Sequence, residues 1–299
     1  MLMHMKVRQY NHAADYSEVG RLLVRTYSAA AGHVNWLQPR WEYMHYHPLI
    51  QGVALNASGV WKTGGQIVAV VHPEHHMGRV YVQLDPAYPE LKRDLLAFAQ
   101  ERLCVAAKAG RELRIYINDS GVEFQHIAAE MGYRKGGGGE AMSHLVISEP
   151  FPRISLPDGF RLKSLADDND LRKVHRLFWR GFGHGDEPPD DGIKNRRFLQ
   201  SAPNFRKDLN IVVEAPDGNF VSYCGMWYEP VNRIAYVEPV ATDPDYRRKG
   251  LGRAAVLEGV RRCGDLGATV AYVGTAKPFY LSFGFRPIYT CSVWRREWS

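Results

Sequence analysis

The residues best suited to chemistry lie between 234 and 253, in Ile-Ala-Tyr-Val-Glu-Pro-Val-Ala-Thr-Asp-Pro-Asp-Tyr-Arg-Arg-Lys-Gly-Leu-Gly-Arg. An apolar, strand-like run ends at Thr242, Asp243-Pro244-Asp245 turns the chain, and a glycine-rich basic loop opens a helix. Gly250 and Gly252 remove side chains where backbone must come close to a ligand, and they permit a positive φ. The N–H groups of the loop and of the first helical turn are then free to converge on an anion. Arg247, Arg248, Lys249 and Arg253 add charge of the sign a pyrophosphate needs. The competing reading is an ordinary strand–turn–helix connection with a solvated basic rim; the strand before the loop and the amphipathic helix after it favour the anion site. No Gly-Lys-Ser/Thr follows a four-residue gap from a first Gly, so this is not a Walker loop, and the glycine spacing fails the dinucleotide fingerprint.

Arg247-x-x-Gly250-x-Gly252 after a strand resembles the acyl-CoA pyrophosphate loop of the GNAT-type N-acetyltransferase superfamily. Phe279-Tyr280-Leu281-Ser282-Phe283-Gly284-Phe285 is similar to that family's second signature, with its Tyr and its Gly-Phe pair at the family's spacing. The two signatures cover the chain from about residue 160 onward. The resemblance implies an α/β fold with a mixed, strongly twisted sheet and helices on both sides. Its two central parallel strands, here 234–242 and 269–273, would splay apart and admit the pantetheine arm of acetyl-CoA. Pro239 suits such a strand, because it cannot donate a ladder hydrogen bond. By match to the family pattern, backbone groups of Val240 and Thr242 would hold the thioester carbonyl and the pantetheine, and a backbone N–H there would stabilise an oxyanion.

The chemistry implied is acetyl transfer to a primary amine, whose pKa near ~10 demands deprotonation before attack. Glu238 matches a position where many family members carry the general base; a carboxylate satisfied by an arginine or by solvent is the alternative. Tyr280 matches the general acid that protonates the departing thiolate, against a half-buried aromatic with a wet hydroxyl. One departure is the segment Gly274-Thr275-Ala276-Lys277-Pro278, which lacks the Asn often found there. The leading acceptor is a small-molecule amine. A protein or peptide N-acetyltransferase, and a non-catalytic acyl-CoA sensor in which Glu238 and Tyr280 serve packing, are the alternatives. Asp186, Glu187, Asp190 and Asp191 form an acidic loop suited either to a cationic amine or simply to solvent. Trp227, Tyr228 and Cys224 would line the cleft or fill the core.

Composition narrows the classes further. With 299 residues, 45% of them apolar and 23% charged, two globular domains are expected. The formal net charge of +6 suits an anionic cofactor. It equally suits nucleic acid, but no run of five basic residues occurs and aromatics do not interleave with Lys/Arg, so no nucleic-acid partner is expected. Cys104, Cys224, Cys263 and Cys291 show no Cys-x-x-Cys pair, which fits reduced thiols. His72, His75 and His76 lack accompanying ligands at metal spacing, so no metal is expected. No run approaches the ~18 apolar residues of a membrane span, and no signal-peptide core opens the sequence; a cytoplasmic protein without a membrane partner, monomer or homodimer, is expected.

The elements that must position this chemistry occur twice. The first half reads as a strand at 6–10, a helix capped by Asp15 or Ser17, two strands around a Gly64-Gly65 turn, and a strand at 80–84. A helix through Leu91, Leu95, Phe98 and Leu103, closed by Gly110, comes next, then a strand at 113–117 and a helix from Val122 to Gly132. Residues 36–50 carry no assignable pattern, and Gly136 to Gly139 reads as a flexible hairpin connection. Three prolines in 149–157 make a stiff linker, so the expected domains are 1–149 and 150–299. In the second half Asp168 or Asp170 caps a helix, a hairpin spans Pro216-Asp217-Gly218, and Gly267 ends the helix after the basic loop. Asp85-Pro86-Ala87-Tyr88 lines up with Asp243-Pro244-Asp245-Tyr246 at an offset of 158 residues. At that offset Lys92 and Asp94 replace Gly250 and Gly252; counted back from the matching pairs Gly132-Tyr133 and Gly284-Phe285, Ala128 answers Tyr280. The first half is therefore expected to be a degenerate copy, structural in role and forming a wall of the acceptor cleft.

Overall fold

The computed structural model describes residues 7–28, 35–108 and 110–299. They divide into two compact units, one drawn from 1–45, 49–141 and 288–299, the other from 46–48 and 142–287. The units part from the halves 1–149 and 150–299 chiefly at 142–149 and at the last twelve residues, which join the first unit.

The first unit holds β1 (Val7–Gln9), α1 (His12–Arg25), α2 (Gln38–Tyr46), β2 (Gly59–Thr63), β3 (Gln66–Pro73), β4 (Arg79–Leu84), α3 (Lys92–Arg102), β5 (Val105–Ala107), β6 (Gly110–Asn118) and α4 (Val122–Glu130). The strand β7 (Arg134–Val146) follows and is shared between the two units. Lys6, expected to start the first strand, lies outside the described residues. Asn11 caps α1, its side chain accepting from the Ala14 N–H. Asp15, one of the two caps expected, is buried inside the helix and paired with Arg8 at 2.5 Å. Gly110 does not close a helix: α3 stops at Arg102, and β5 turns back on β6 as a hairpin with Ala107 opposite Gly110. The four glycines 136–139 lie within β7 and form no turn. A Cβ at Gly139 would come within 2.4 Å of the Cys291 carbonyl, so the bare backbone permits close approach to the neighbouring strand.

The second unit contains β8 (Arg161–Ser164), α5 (Leu171–Gly181), α6 (Ile193–Gln200), β9 (Ile211–Glu214), β10 (Phe220–Glu229), β11 (Ile234–Thr242), α7 (Leu251–Asp265), β12 (Val270–Val273) and α8 (Pro278–Leu281). The last strand, β13 (Arg286–Trp298), leaves it and pairs antiparallel with β6 from Cys291↔Asn118 to Trp298↔Arg111. Asp170 caps α5 through the N–H groups of Arg172 and Lys173. The strand order here is β7, β12, β11, β10, β9, β8. Only β11 and β12 run parallel among these. Leu251, Ala255, Val256 and Val260 of α7 pack on Ile211, Cys224, Ala235 and Ala271. The proline-rich linker crosses this core without helix or strand, Phe151, Ile154 and Leu156 packing against it.

The two units repeat one local plan. In each, two parallel strands pair only briefly: Arg79↔Arg114 and Val80↔Ile115 in one, Ile234↔Val270 to Tyr236↔Tyr272 in the other. In each, a late glycine of positive φ, Gly132 at 85° or Gly284 at 115°, turns the chain after a helix. The next N–H then bonds back five residues: Tyr133 to the Ala128 carbonyl at 2.9 Å, Phe285 to Tyr280 at 3.3 Å.

Candidate active site

The site in the second unit begins where β11 loses its parallel partner. Pairing with β12 ends at Tyr236 and Tyr272, yet β11 continues for six more residues to Thr242. Successive residues of a strand direct their backbone groups to alternate sides. Half of those groups beyond Tyr236 therefore face away from β10 and, among the described residues, have no strand partner. The gap expected between 234–242 and 269–273 would open along this stretch, since β12 itself ends at Val273. At Glu238-Pro239 the register with β10 slips, so that Gly225 opposes both. A Cβ on Gly225 would sit 2.6 Å from the Glu238 carbonyl, and the Trp227 indole donates to that carbonyl at 2.8 Å. Pro239, Gly225 and Trp227 thus make and hold a bulge that re-aims Glu238. Trp227 serves this purpose from the core; Tyr228 instead donates to the Leu266 carbonyl at the end of α7.

Glu238 and Tyr280 are brought together. Tyr280 is 8% exposed, and burial, with Cys224 and Glu238 nearby, raises its phenol above the usual range. The hydroxyl is therefore protonated at any ordinary pH, the state a proton donor needs. Cys224 is buried in the core, and burial, with Cys263 close by, lifts its thiol well above the normal range; it is not a competent nucleophile. Val240 lies opposite Cys224 on the splayed part of the strand, and the Thr242 hydroxyl bonds the Ser222 hydroxyl at 3.0 Å.

The loop that follows is held by ion pairs. Asp243, 1% exposed, receives Arg180 Nε at 2.7 Å and lies 3.5 Å from Arg176, while Arg180 also reaches Asp245 at 2.6 Å. Arg247 donates to the Gly181 carbonyl at 3.0 Å and to Thr242 at 3.3 Å, latching the loop to the ends of α5 and β11. Arg248 and Gly250 then take left-handed backbone, φ 63° and 79°, and α7 starts with no side chain capping its N-terminus. A Cβ at Gly252 would meet Thr242 Oγ1 at 3.1 Å and Phe279 Cζ at 3.2 Å, so both glycines are required by backbone geometry or space. Arg248, Lys249 and Arg253 have no carboxylate partner among the described residues; Lys249 lies over the Tyr246 ring and Arg253 donates to the Arg153 carbonyl. An uncapped 15-residue helix facing unpaired cations fits a diphosphate.

The acidic loop is occupied internally. Asp186 pairs with Arg180, Asp190 with Arg172 at 3.2 Å, and Asp191 approaches Lys194 at 4.0 Å. Thr275 Oγ1 accepts from the Lys277 N–H at 3.3 Å, ordering the turn into α8. In the other unit His72 donates from Nδ1 to the Pro73 carbonyl and accepts from Gln83, each at 3.0 Å, and no group of three metal-ligating side chains assembles among the described residues. Sequence reasoning missed Gly225, Arg180 and Phe279. Only Phe279 carried a signal, standing beside Tyr280 in the second signature.

Residues 171–285 match the model of the Acetyltransferase (GNAT) family. That stretch is similar to a GNAT domain. The whole length of the chain follows the fold of tandem GNAT proteins. It is similar to a tandem GNAT protein from the clavulanic acid biosynthesis pathway, TM-score 0.64 at 14% identity over 98% of both chains. It is also similar to a GCN5-related N-acetyltransferase from Sphaerobacter thermophilus, TM-score 0.62 at 17% identity over 99% of this chain and 97% of that one. Among curated proteins it is 25% identical over 191 residues to the mycothiol acetyltransferase of Saccharomonospora viridis, the match spanning 60% of this chain and 62% of that relative. No helix among the described residues is long and apolar enough to cross a membrane.

Proposed function

We propose that the chain is an acetyl-CoA-dependent N-acetyltransferase whose second unit carries the chemistry and whose acceptor is a small-molecule primary amine. The observation that carries this reading is the conjunction of the splayed β11 edge with the left-handed Arg248–Gly250 loop at the open end of α7. Acetyl-CoA supplies an acetyl thioester. The N–H groups from Gly250 to Arg253, with Arg248 and Lys249, would hold its diphosphate, and backbone groups of β11 around Val240 and Thr242 would hold the arm. Glu238 would take the proton of the amine as it attacks, and Tyr280 would give its proton to the leaving sulfur. Burial of Tyr280 keeps that proton in place until it is needed.

The acidic loop supports a small acceptor over a basic peptide only modestly: Asp190 and Asp191 face Arg172 and Lys194 at the surface, and Asp186 shares Arg180 with Asp243 and Asp245. The test is calorimetry with acetyl-CoA followed by thiol release against a panel of amines, with Glu238→Gln and Tyr280→Phe beside the unaltered protein. Saturable uptake and amine-dependent release are expected. Uptake without release from any amine would leave a sensor, and no uptake at all would end the proposal.

A further inference from the structure

Strands β11, β12 and β7 set Tyr236, Tyr272 and His144 side by side, Tyr236 opposite Tyr272 and Tyr272 opposite His144. Their chain neighbours Ala235, Val237, Ala271, Val273 and Leu145 all belong to the core packed by α7. Side chains alternate along a strand, so the row of three points to the other face of the sheet. Glu238 follows Val237 and turns to that face as well. Further on, α5 covers this face where it packs on Val212, Phe220, Tyr223 and Ala241. The row lies outside that cluster.

His144 differs from its two neighbours. Tyr236 and Tyr272 are 1% and 5% exposed, whereas His144 is half-buried, its ring tilted over Tyr272 with centroids 6.1 Å apart. Its nitrogens have no hydrogen-bond partner among the described residues. Arg286 begins β13, the strand on the other side of β7. Gly136 lies against Val293 and Gly139 against Cys291, so the two strands run in opposite directions. The same count onward from Gly139 and back from Cys291 brings His144 beside Arg286. Burial, and after it the Arg286 guanidinium, hold the His144 imidazole below its usual value. No carboxylate among the described residues acts against them, and Arg286 itself is exposed and makes no ion pair among those residues.

A guanidinium and an imidazole, both without partners, thus stand on the face that carries Glu238. An anionic oxygen satisfies both, since each can donate to it and one of them is always charged. Two steps between strands and one two-residue step along β11 separate the Cα atoms of Glu238 and His144, at least about 12 Å. Resting on the acetyl-transfer reading above, we infer that His144 and Arg286 form an acceptor subsite for an anionic group, so that the amine acetylated at Glu238 belongs to a small molecule that also carries a carboxylate or a phosphate. Such a molecule binds one way round. Its anion is attracted by Arg286 and repelled by Glu238, which leaves the amine at the base.

The experiment measures initial rates of thiol release at saturating acetyl-CoA with matched acceptors: β-alanine, γ-aminobutyrate and phosphoethanolamine against ethanolamine and propanolamine. The anionic acceptors should exceed the neutral ones by about tenfold or more in kcat/KM, and the faster class among them identifies carboxylate or phosphate. Arg286→Ala should raise KM for the anionic acceptors by about tenfold to hundredfold with little change in kcat. Neutral acceptors and acetyl-CoA affinity should be unaffected, which also excludes a folding defect, and Arg286→Lys should recover part of the loss. His144→Ala should act in the same direction by about tenfold or less, with His144→Gln, which keeps a donor, closer to the unaltered protein. Arg134→Ala, altering the residue that follows Gly132-Tyr133 as Arg286 follows Gly284-Phe285, should change nothing. Equal rates for anionic and neutral acceptors, or a loss in Arg286→Ala that falls on both alike, overturns the inference and leaves the acetyl-transfer reading intact. Absence of thiol release with every amine, or of acetyl-CoA uptake, ends that reading and this inference with it.

Discussion

Residues 85–94 and 243–252 begin alike and end differently. In both, an Asp accepts from the N–H two residues on at 3.1 Å, and the following Tyr N–H returns to that Asp carbonyl at 3.0 Å. In the first, Pro89–Leu91 then makes a tight 3-10 turn that runs directly into α3, with Lys92 at φ −52°. In the second, Arg248 and Gly250 swing left-handed and leave the helix end open. The start of α3 is also tied to α4, Lys92 pairing with Glu123 and Arg93 with Glu130. Where α4 runs nine residues, α8 runs only four. The open helix end of the second stretch thus has no counterpart in the first, where a tight turn, added side chains and ion pairs stand instead, while the strand–turn–helix scaffold is common to both.

If that account is right, transplanting one residue should carry the defect across. Gly252→Asp copies Asp94 into the open loop, adding both a side chain in contact with Phe279 and Thr242 and a carboxylate beside the diphosphate. Like charges brought together cost several kcal/mol, so acetyl-CoA affinity should fall by about 10³-fold or more in calorimetry. The reciprocal Asp94→Gly should create no second site, because the tight turn at 89–91 and the α4 ion pairs remain. Binding of two equivalents by Asp94→Gly would contradict this account.

A second pair of changes addresses chemistry instead of binding. Glu238→Gln and Tyr280→Phe should each lower turnover by about 10²-fold or more, the range for losing a positioned base or acid, with acetyl-CoA affinity near the unaltered value. Their counterparts, Val80 at the offset of the turns and Ala128 counted back from the Gly-aromatic pair, have nothing to lose. Unchanged turnover in both variants would return Glu238 and Tyr280 to packing roles.

The arginine behind each turn distinguishes the copies in stability. Asp243 is 1% exposed and held by Arg180 at 2.7 Å, whereas Asp85 meets Arg25 at 3.4 Å with both side chains partly solvated. Arg180→Ala strands a buried carboxylate and should cost roughly 3–5 kcal/mol in urea unfolding, towards the lower figure because Arg176 remains. Arg25→Ala should cost about 1 kcal/mol or less. Similar losses for the two would show that burial of Asp243 does not matter.

What could be read from the sequence was local. The basic loop, the Gly284 turn, the Asp170 cap and the short hairpin at 216–218 are each specified by residues a few positions apart, and the repeat was visible because Asp85 and Asp243 start the same turn. Elements whose identity depends on a distant partner were not legible. The glycines 136–139 and the C-terminal β13 become strands only through pairing across more than a hundred residues. Helix α2 escaped because Trp41, Glu42, Tyr43, Met44 and His45 are all buried, which erases the one-sided pattern that betrays a helix. In the site, Glu238 and Tyr280 were named by resemblance, but the bulge made by Gly225, Pro239 and Trp227 depends on a register slip that no spacing encodes.

The last contrast is in acid. His72 is fully buried in the first unit, and burial lowers its imidazole from 6.5 to about 4; His45, buried on α2, falls to about 3. Both are neutral in the folded protein, so between those values and 6.5 the unfolded chain binds protons that the native state does not. Stability is therefore full above pH 6.5 and declines as pH falls, His72 alone accounting for about 3 kcal/mol by pH 4. In the second unit burial also lowers His144 and His175, though neither lies as deep as His72, and the depressed carboxylates Asp167, Asp208 and Glu258 lose their stabilisation only below their ordinary range. Hydrogen exchange at pH 5 should accordingly show weakened protection in β3 and β4 while β10 and β11 hold, and His72→Gln, which can still donate to Pro73 and accept from Gln83, should flatten the difference. Uniform loss across both units would mean that the carboxylate pairs, and not the buried imidazoles, set the response to acid.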